Sequence, residues 1–364
     1  MGVIVTILGI SSALADTGLT GKLVYEERQE DKQASPAIVL RDMSTLERRV
    51  IAAPGMNPRW FPSGREVAYF LPDDEPDGIA ELAGNTSRRL TLGEYGAYRA
   101  VFPGKTIVVD TEGHRLRELN HFIADIDSTG RRAVTIRPVV RSITGQTSYW
   151  WTRRSGDLMI QNTSSGELSM VLSATEIAND SGKDLLRDAQ WSRDGRYVIY
   201  QTEAAKDDSN GDVRGSTWAI YRIDIETKKH SRLLPLKDST MEPDGHGFSI
   251  SPDGNRIVFT RRSDKGLWAL DLSTSKVENI QIDERSYRKR NPRFSPDGRS
   301  ILFELLDLSD VGSTISFWVA PSEGGYASRL FPRTWRHFVR FFVLAESDRL
   351  ADWWQPSVHS FQTP

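Results

Sequence analysis

Four stretches of this chain say nearly the same thing: Asn57-Pro-Arg-Trp-Phe-Pro-Ser-Gly64, Ala189-Gln-Trp-Ser-Arg-Asp-Gly195, Phe248-Ser-Ile-Ser-Pro-Asp-Gly254 and Asn291-Pro-Arg-Phe-Ser-Pro-Asp-Gly298. Each runs into an apolar segment: Val67-Ala-Tyr-Phe70, Tyr197-Val-Ile-Tyr200, Ile257-Val-Phe259 and Ile301-Leu-Phe303. β-Branched and aromatic residues suit a pleated, half-buried surface, so these segments read as strands. The Pro-Asp-Gly between them is turn chemistry: Pro presets φ, Asp bonds nearby backbone N–H groups, and Gly accepts a positive φ where the next strand begins. One hairpin is being repeated, at a period of roughly 40–50 residues, which is the sequence sign of a β-propeller.

A further signature, an apolar alternating run ending in a small polar turn, occurs in Met159–Ser165, Ile220–Thr227 and Trp268–Thr274. It reads as the third strand of a blade. Ile38-Val-Leu-Arg-Asp-Met-Ser-Thr45 matches it, with Leu23-Val-Tyr25 where the second strand belongs. The chain therefore enters its first blade at the second strand. The missing strand is expected from Ala351-Asp-Trp-Trp-Gln-Pro356, closing the ring with both termini and removing open sheet edges.

Taking Gly64, Gly104, Gly130, Gly195, Gly254 and Gly298 as turn glycines leaves one interval, Gly104 to Gly130, too short for four strands, which need roughly 40 residues. Ala100-Val-Phe102 and Ile107-Val-Val109 nevertheless read as a hairpin. Counting that unit favours seven blades; merging it with its neighbour gives six.

These repeats, Pro-x-Trp/Phe-Ser-Pro-Asp-Gly followed by an apolar strand, resemble the TolB-like propeller family, also seen in the propeller domains of prolyl oligopeptidase-type proteases. The resemblance covers roughly residues 21 to 356 and implies a single all-β propeller domain, expected over residues 21–358. In TolB itself a smaller α/β domain precedes the propeller, whereas here the repeats begin almost at once. The motif is a fold signature that marks no active site.

With 38% hydrophobic and 26% charged residues, the 364-residue chain can bury a large core. A net charge of −2 gives no general electrostatic basis for binding nucleic acid. The absence of cysteine removes thiolate metal sites, cysteine nucleophiles and disulfides. Met1 to Ala15 is uncharged, apolar and closes on Ala13-Leu-Ala15, as a signal peptide does. A secreted or periplasmic location is expected, without a later membrane span.

No Gly-x-Ser-x-Gly elbow, phosphate loop or His-Glu-x-x-His motif occurs, so no catalytic residue, metal ligand or cofactor is assigned. A carbohydrate-active lyase or hydrolase built from residues converging in the channel is the alternative, with His246 as its candidate ligand among six scattered histidines. Asp207-Asp-Ser-Asn-Gly-Asp212 gathers carboxylates, but its spacing departs from a calcium loop and reads as a solvated hairpin connection. Trp335, Phe338, Val339 and Phe342 share one helical face, read as a connector capping the ring.

The contact surface is expected on two loops. Trp150, Trp151, Arg153 and Arg154 lie in the longest interval between repeats, where aromatic and guanidinium groups suit a protein or peptide partner. The acidic loop with Asp207, Asp208, Asn210 and Asp212 comes second. The function expected is a non-catalytic scaffold that binds through loops at one channel mouth.

Overall fold

The computed structural model describes residues 21–27, 36–45, 47–72, 104–139, 155–181, 186–207, 213–236, 241–261, 263–264, 266–282, 288–307, 314–330 and 351–354. Blade 1 begins with β1 (Lys22–Glu27), β2 (Ala37–Asp42) and β3 (Arg48–Ala52). Blade 2 holds β4 (Met56–Trp60), β5 (Glu66–Pro72), β6 (Gly104–Asp110) and β7 (Arg115–Asn120). Blade 3 holds β8 (Phe122–Ile126), β9 (Arg132–Val139), β10 (Ser155–Asn162) and β11 (Leu168–Leu172), followed by helix α1 (Ala174–Ser181). Blade 4 holds β12 (Leu186–Trp191), β13 (Tyr197–Asp207), β14 (Val213–Asp224) and β15 (His230–Leu234). Blade 5 holds β16 (Pro243–Ile250), β17 (Arg256–Arg261), β18 (Leu267–Asp271) and β19 (Val277–Ile280). Blade 6 holds β20 (Arg288–Phe294), β21 (Ser300–Asp307), β22 (Thr314–Pro321) and β23 (Ser328–Arg329), and β24 (Ala351–Trp354) returns to blade 1.

Each blade is a four-stranded antiparallel sheet, with strand order β24-β1-β2-β3 in the first and simple sequence order in the other five. β24 pairs antiparallel with β1 from Tyr25↔Ala351 to Lys22↔Trp354, so the two ends of the chain share one blade, as the repeat pattern requires.

The turn chemistry is regular. Gly64, Gly130, Gly195, Gly254 and Gly298 all have φ between 64° and 80°. In each turn the glycine N–H donates three residues back, as in Gly254 to Ser251 (2.8 Å) and Gly298 to Ser295 (2.8 Å). This is a type I turn followed by a left-handed residue. The Ser and Asp of the motif lock it: Ser295 Oγ donates to Asp297 Oδ1 (2.6 Å), which also accepts from Arg299 N (3.0 Å).

Six blades, not seven, make the ring. The expectation of a seventh rested on Gly104, which is absent from the positive-φ glycines and opens the third strand of blade 2, paired with Pro72. A Cβ there would lie 2.5 Å from Phe70 Cζ, so this glycine answers close packing rather than a turn. Ile107-Val-Val109 pairs with Val67-Ala-Tyr69 inside that same sheet. Sequence cannot separate these two uses of glycine, and the short interval follows from the confusion.

Six apolar clusters fill the six seams between blades. Val24, Ile38 and Leu40 meet Trp60, Val67 and Ile107 between blades 1 and 2, and Phe61 and Val108 meet Ile123 and Ala133 at the next seam. Leu158 and Ile160 meet Trp191 and Val198, and Ile199 and Ile220 meet Phe248 and Ile257. Val258 and Leu267 meet Phe294 and Ile301. Leu23, Tyr25, Val39 and Met43 close the ring on Leu302, Phe317, Val319 and Leu330, with Tyr25 and Phe317 edge to face at 5.9 Å. Each buried Leu, Ile or Phe stabilises the ring by roughly 1.5–3 kcal/mol.

Residues 1–15, and the helical face expected over 335–342, lie outside the described residues. No helix among the described residues is long and apolar enough to cross a membrane.

Candidate functional site

The first strand of each blade faces the channel, and the two ends of that channel differ. At one end sit the hairpin turns joining first and second strands. Turn packs against turn there: Ser128 Oγ donates to Arg193 O (3.3 Å), Arg193 Nη1 donates to Pro252 O (2.8 Å), and Gly298 leaves 3.4 Å between a built Cβ and Pro252 Cδ. By antiparallel connectivity, the links from second to third strand and from fourth strand to the next blade start and finish at the opposite end, the mouth.

Inner strands are sheet edges, and their outward backbone groups need partners. The residue five before each turn glycine supplies them. Arg59 Nε donates to Ala124 O (2.8 Å), Asp125 Oδ2 accepts from Trp191 N (2.9 Å), Gln190 Nε2 donates to Phe248 O (2.5 Å), and Ser249 Oγ accepts from Phe294 N (3.2 Å). Polar side chains thus lace blades 2 through 6 together around the channel.

Nearer the mouth lies a network of buried charge. Glu26 on β1 and Glu304 on β21 occupy equivalent positions on neighbouring blades, six residues after the turn glycine in the case of Glu304. Asn57 N donates to Glu26 Oε2 (3.3 Å). Burial pushes the Glu304 carboxyl up, with Arg290 and an Asn291 hydrogen bond opposing and Glu26 adding to the rise. Arg293 donates to Phe248 O and approaches Asp188 Oδ2 at 3.8 Å, while Arg288 lies 3.8 Å from Asp244, which also accepts from Thr260 Oγ1. Glu26, Arg59, Arg290, Arg293 and Glu304 are all at most 6% exposed, so these ionic side chains form a packed floor instead of an open shaft. Such networks fix geometry more reliably than they add stability.

Backbone irregularity builds that floor. Asn57 and Asn291 both take a positive φ, 53° and 47°, at bulges where β4 and β20 slip register against β5 and β21. Asn tolerates the left-handed region better than most residues, which accounts for its recurrence before Pro-Arg. In blade 5 the same bulge is made by Gly245 and Gly247, at φ 79° and 81°. A Cβ on Gly247 would stand 3.2 Å from Asn291 Oδ1 and 3.6 Å from Asp188 Oδ2.

Around this floor, aromatic groups are held in fixed poses. Arg187 stacks over Trp218 at 5.2 Å, and Gly245 packs so closely on that ring that any side chain there would collide with it. Trp268 Nε1 donates to Asp264 (3.2 Å) beneath the Arg261 guanidinium, 4.9 Å away. On blade 3, His121 is pushed down by burial and by the charge of Arg137, which pairs with Asp157.

Trp150, Trp151, Arg153 and Arg154 lie outside the described residues, in the link between β9 and β10. Asp207 closes β13 opposite Val213, and Asp208, Asn210 and Asp212 lie beyond the described residues in the link from β13 to β14. The two segments are thus equivalent links of adjacent blades, both anchored at the mouth. Of the histidines, His114 lies beside Asp110 at an outer turn of blade 2 (2.9 Å), His121 directly precedes β8, His230 opens β15 and His246 stands in β16; His337 and His359 fall outside the described residues. No group of three or more His, Asp or Glu poised to hold a metal occurs among the described residues.

Sequence reading missed the charged floor. Its signal was present: aligned on the turn glycines, the second strands of blades 4, 5 and 6 carry Gln201, Thr260 and Glu304 where blades 2 and 3 carry Phe70 and Ile136.

A closed ring of six four-stranded sheets around a laced channel with an ionic floor makes this chain a six-bladed β-propeller. No protein-family model matches it. Over 97 residues it is 31% identical to the Tol-Pal system protein TolB of Francisella tularensis subsp. tularensis, covering 26% of this chain and 19% of that protein. The chain thus spans about a fifth of the length of the curated relatives it matches. Among solved structures, TolB from Acinetobacter baumannii superposes with a TM-score of 0.56 at 17% identity, covering 92% of this chain and 66% of that one. A TolB-designated protein from Agrobacterium tumefaciens gives 0.53 at 14% identity, covering 93% and 100%. The propeller is TolB-like.

Proposed function

We propose that the chain is a non-catalytic scaffold, working in the periplasm or outside the cell, that binds a protein or peptide partner at the mouth of its channel. The observation that carries this is the asymmetry of the ring. One end packs turn on turn, while the links between blades converge at the other above a rigid ionic floor. Binding residues are drawn disproportionately from loops positioned by a rigid scaffold.

Within that mouth, Trp150, Trp151, Arg153 and Arg154 supply stacking and guanidinium contacts, and Asp207, Asp208, Asn210 and Asp212 supply an acidic counterpart. Mixed charge of this kind gives salt-sensitive recognition. The signal-like character of Met1 to Ala15 supports export, and the name of the matched relative, a Tol-Pal system protein, supports an envelope setting. The domain is read as residues 21–358.

The test is capture from an envelope extract with the chain from Asp16 onward as bait, at low and high salt, beside alanine replacements in both loops. One stoichiometric partner lost at high salt and lost in the loop variants is expected. Capture indifferent to both loop sets would sink the assignment.

A further inference from the structure

Each blade carries, near the mouth end of its second strand, one residue that faces the seam with the next blade. Two of these positions are tied across the seam in the same way: Asn57 N donates to Glu26 Oε2 (3.3 Å) between blades 1 and 2, and Gly247 N donates to Gln201 Oε1 (3.3 Å) between blades 4 and 5. Aligned on the turn glycines, the other four positions hold Phe70, Ile136, Thr260 and Glu304. Glu26 and Glu304 are the ionisable members of this set, and they are 0% and 2% exposed.

Both carboxyls border blade 1. Glu304 shares a sheet face with Leu302 and with its cross-strand partner Phe317, and those two pack on Leu23 and Tyr25, so Glu304 faces the seam between blades 6 and 1. Glu26 shares a face with Val24 and with its cross-strand partner Ile38, which pack on Trp60 and Val67, so it faces the seam between blades 1 and 2. The sheet built from both ends of the chain thus has a buried carboxyl at each flank. The four remaining seams are closed at this position by neutral side chains.

Among the described residues, the charges that act on Glu304 come from two elements. From β20 come Arg290, its cross-strand partner, and Arg293, with Asn291 adding a hydrogen bond; from β1 comes the like charge of Glu26. Ile38 of β2 and Asn57 of β4 stand around Glu26. Burial disfavours ionised Glu304 more than the two guanidinium groups favour it.

We propose that Glu304, with Glu26 beside it, makes blade 1 a proton-operated latch of the ring: its seam with blade 6 is tightest when Glu304 is protonated and loosens as pH rises. The sign follows from linkage. A carboxyl that keeps its proton in the closed seam and loses it to water in the open one releases a proton on opening, so withdrawing protons favours the open form. The latch does not depend on what binds at the mouth.

Amide hydrogen exchange on the full chain, corrected for intrinsic rates and set beside urea unfolding at each pH, tests the proposal. The amides of β1 and β2 should open more often than global unfolding permits, and this opening should rise by up to about tenfold per pH unit above about 4.5, as one released proton requires. Glu304→Gln should remove the rise, and Glu26→Gln should make it level off at lower pH. Combining Gln201→Glu with Glu304→Gln should move the pH-dependent opening to the seam between blades 4 and 5. Exchange of β1 and β2 through global unfolding alone at every pH overturns the proposal without any variant. A rise that persists in Glu304→Gln overturns it equally.

Discussion

Gln190 on blade 4 holds the inner strand of blade 5 as a neighbouring strand would: its Nε2 donates to Phe248 O at 2.5 Å, and its Oε1 accepts from Ile250 N at 3.4 Å. One side chain satisfies a carbonyl and an amide two residues apart on an otherwise open edge. Gln190→Leu keeps the volume and removes both bonds, leaving buried backbone groups without partners. A loss of about 1–3 kcal/mol is expected, read as a lower urea midpoint with unchanged slope. A midpoint unaffected by the change would mean that the lacing is incidental to stability.

Gly298 combines a φ of 73° with a close neighbour, since a Cβ would stand 3.4 Å from Pro252 Cδ. Gly298→Ala should destabilise by about 1–2 kcal/mol from backbone strain. Gly104→Ala has an ordinary φ but the Phe70 ring and the Leu71 carbonyl in the way, so its effect should shrink, without vanishing, when Phe70 is also reduced to Leu. The double-mutant cycle separates strain from collision: coupling at Gly104 with Phe70, and none at Gly298.

The Glu304 carboxyl is raised by burial. A group whose folded pKa is raised contributes stability that is present below its unfolded value and lost as pH rises through the folded value. Glu304→Gln should therefore gain on the parent protein as pH increases from about 4.5 upward. Denaturation midpoints across pH 4 to 8 measure this; a difference that is constant with pH would contradict it.

Asp271 shows the opposite sign. Ser273 Oγ and the Thr274 and Ser273 amides hold its carboxyl down to about 2. A lowered folded pKa contributes stability above the unfolded value that disappears as pH falls. Asp271→Asn should thus be less stable than the parent near neutrality, with the gap closing between about pH 4 and pH 2. Thermal midpoints over that range decide it.

How much of this could be read beforehand depends on range along the chain. The Ser-Pro-Asp-Gly turn is a local device, since each hydrogen bond that Asp297 accepts comes from a residue within two positions, so its copies announced the blades. Ring closure was legible too, because Ala351-Asp-Trp-Trp continues a pattern broken at the start. The blade count failed at Gly104, where a side chain would meet the Phe70 ring and the Leu71 carbonyl, more than thirty positions away. The ionic floor failed likewise: Arg293 meets Asp188 and Arg59 meets Ala124 only once blades stand side by side. Inside a single repeat, Glu304 looks like the polar end of a strand.

The sharing of blade 1 by the two ends of the chain also sets a timetable. Residues 22–52 are made before the other five blades, yet the strand that completes their sheet is made after them. At about 5–20 residues per second, that strand arrives roughly 15–60 s later. Through that interval the nascent sheet keeps an unfinished inner edge.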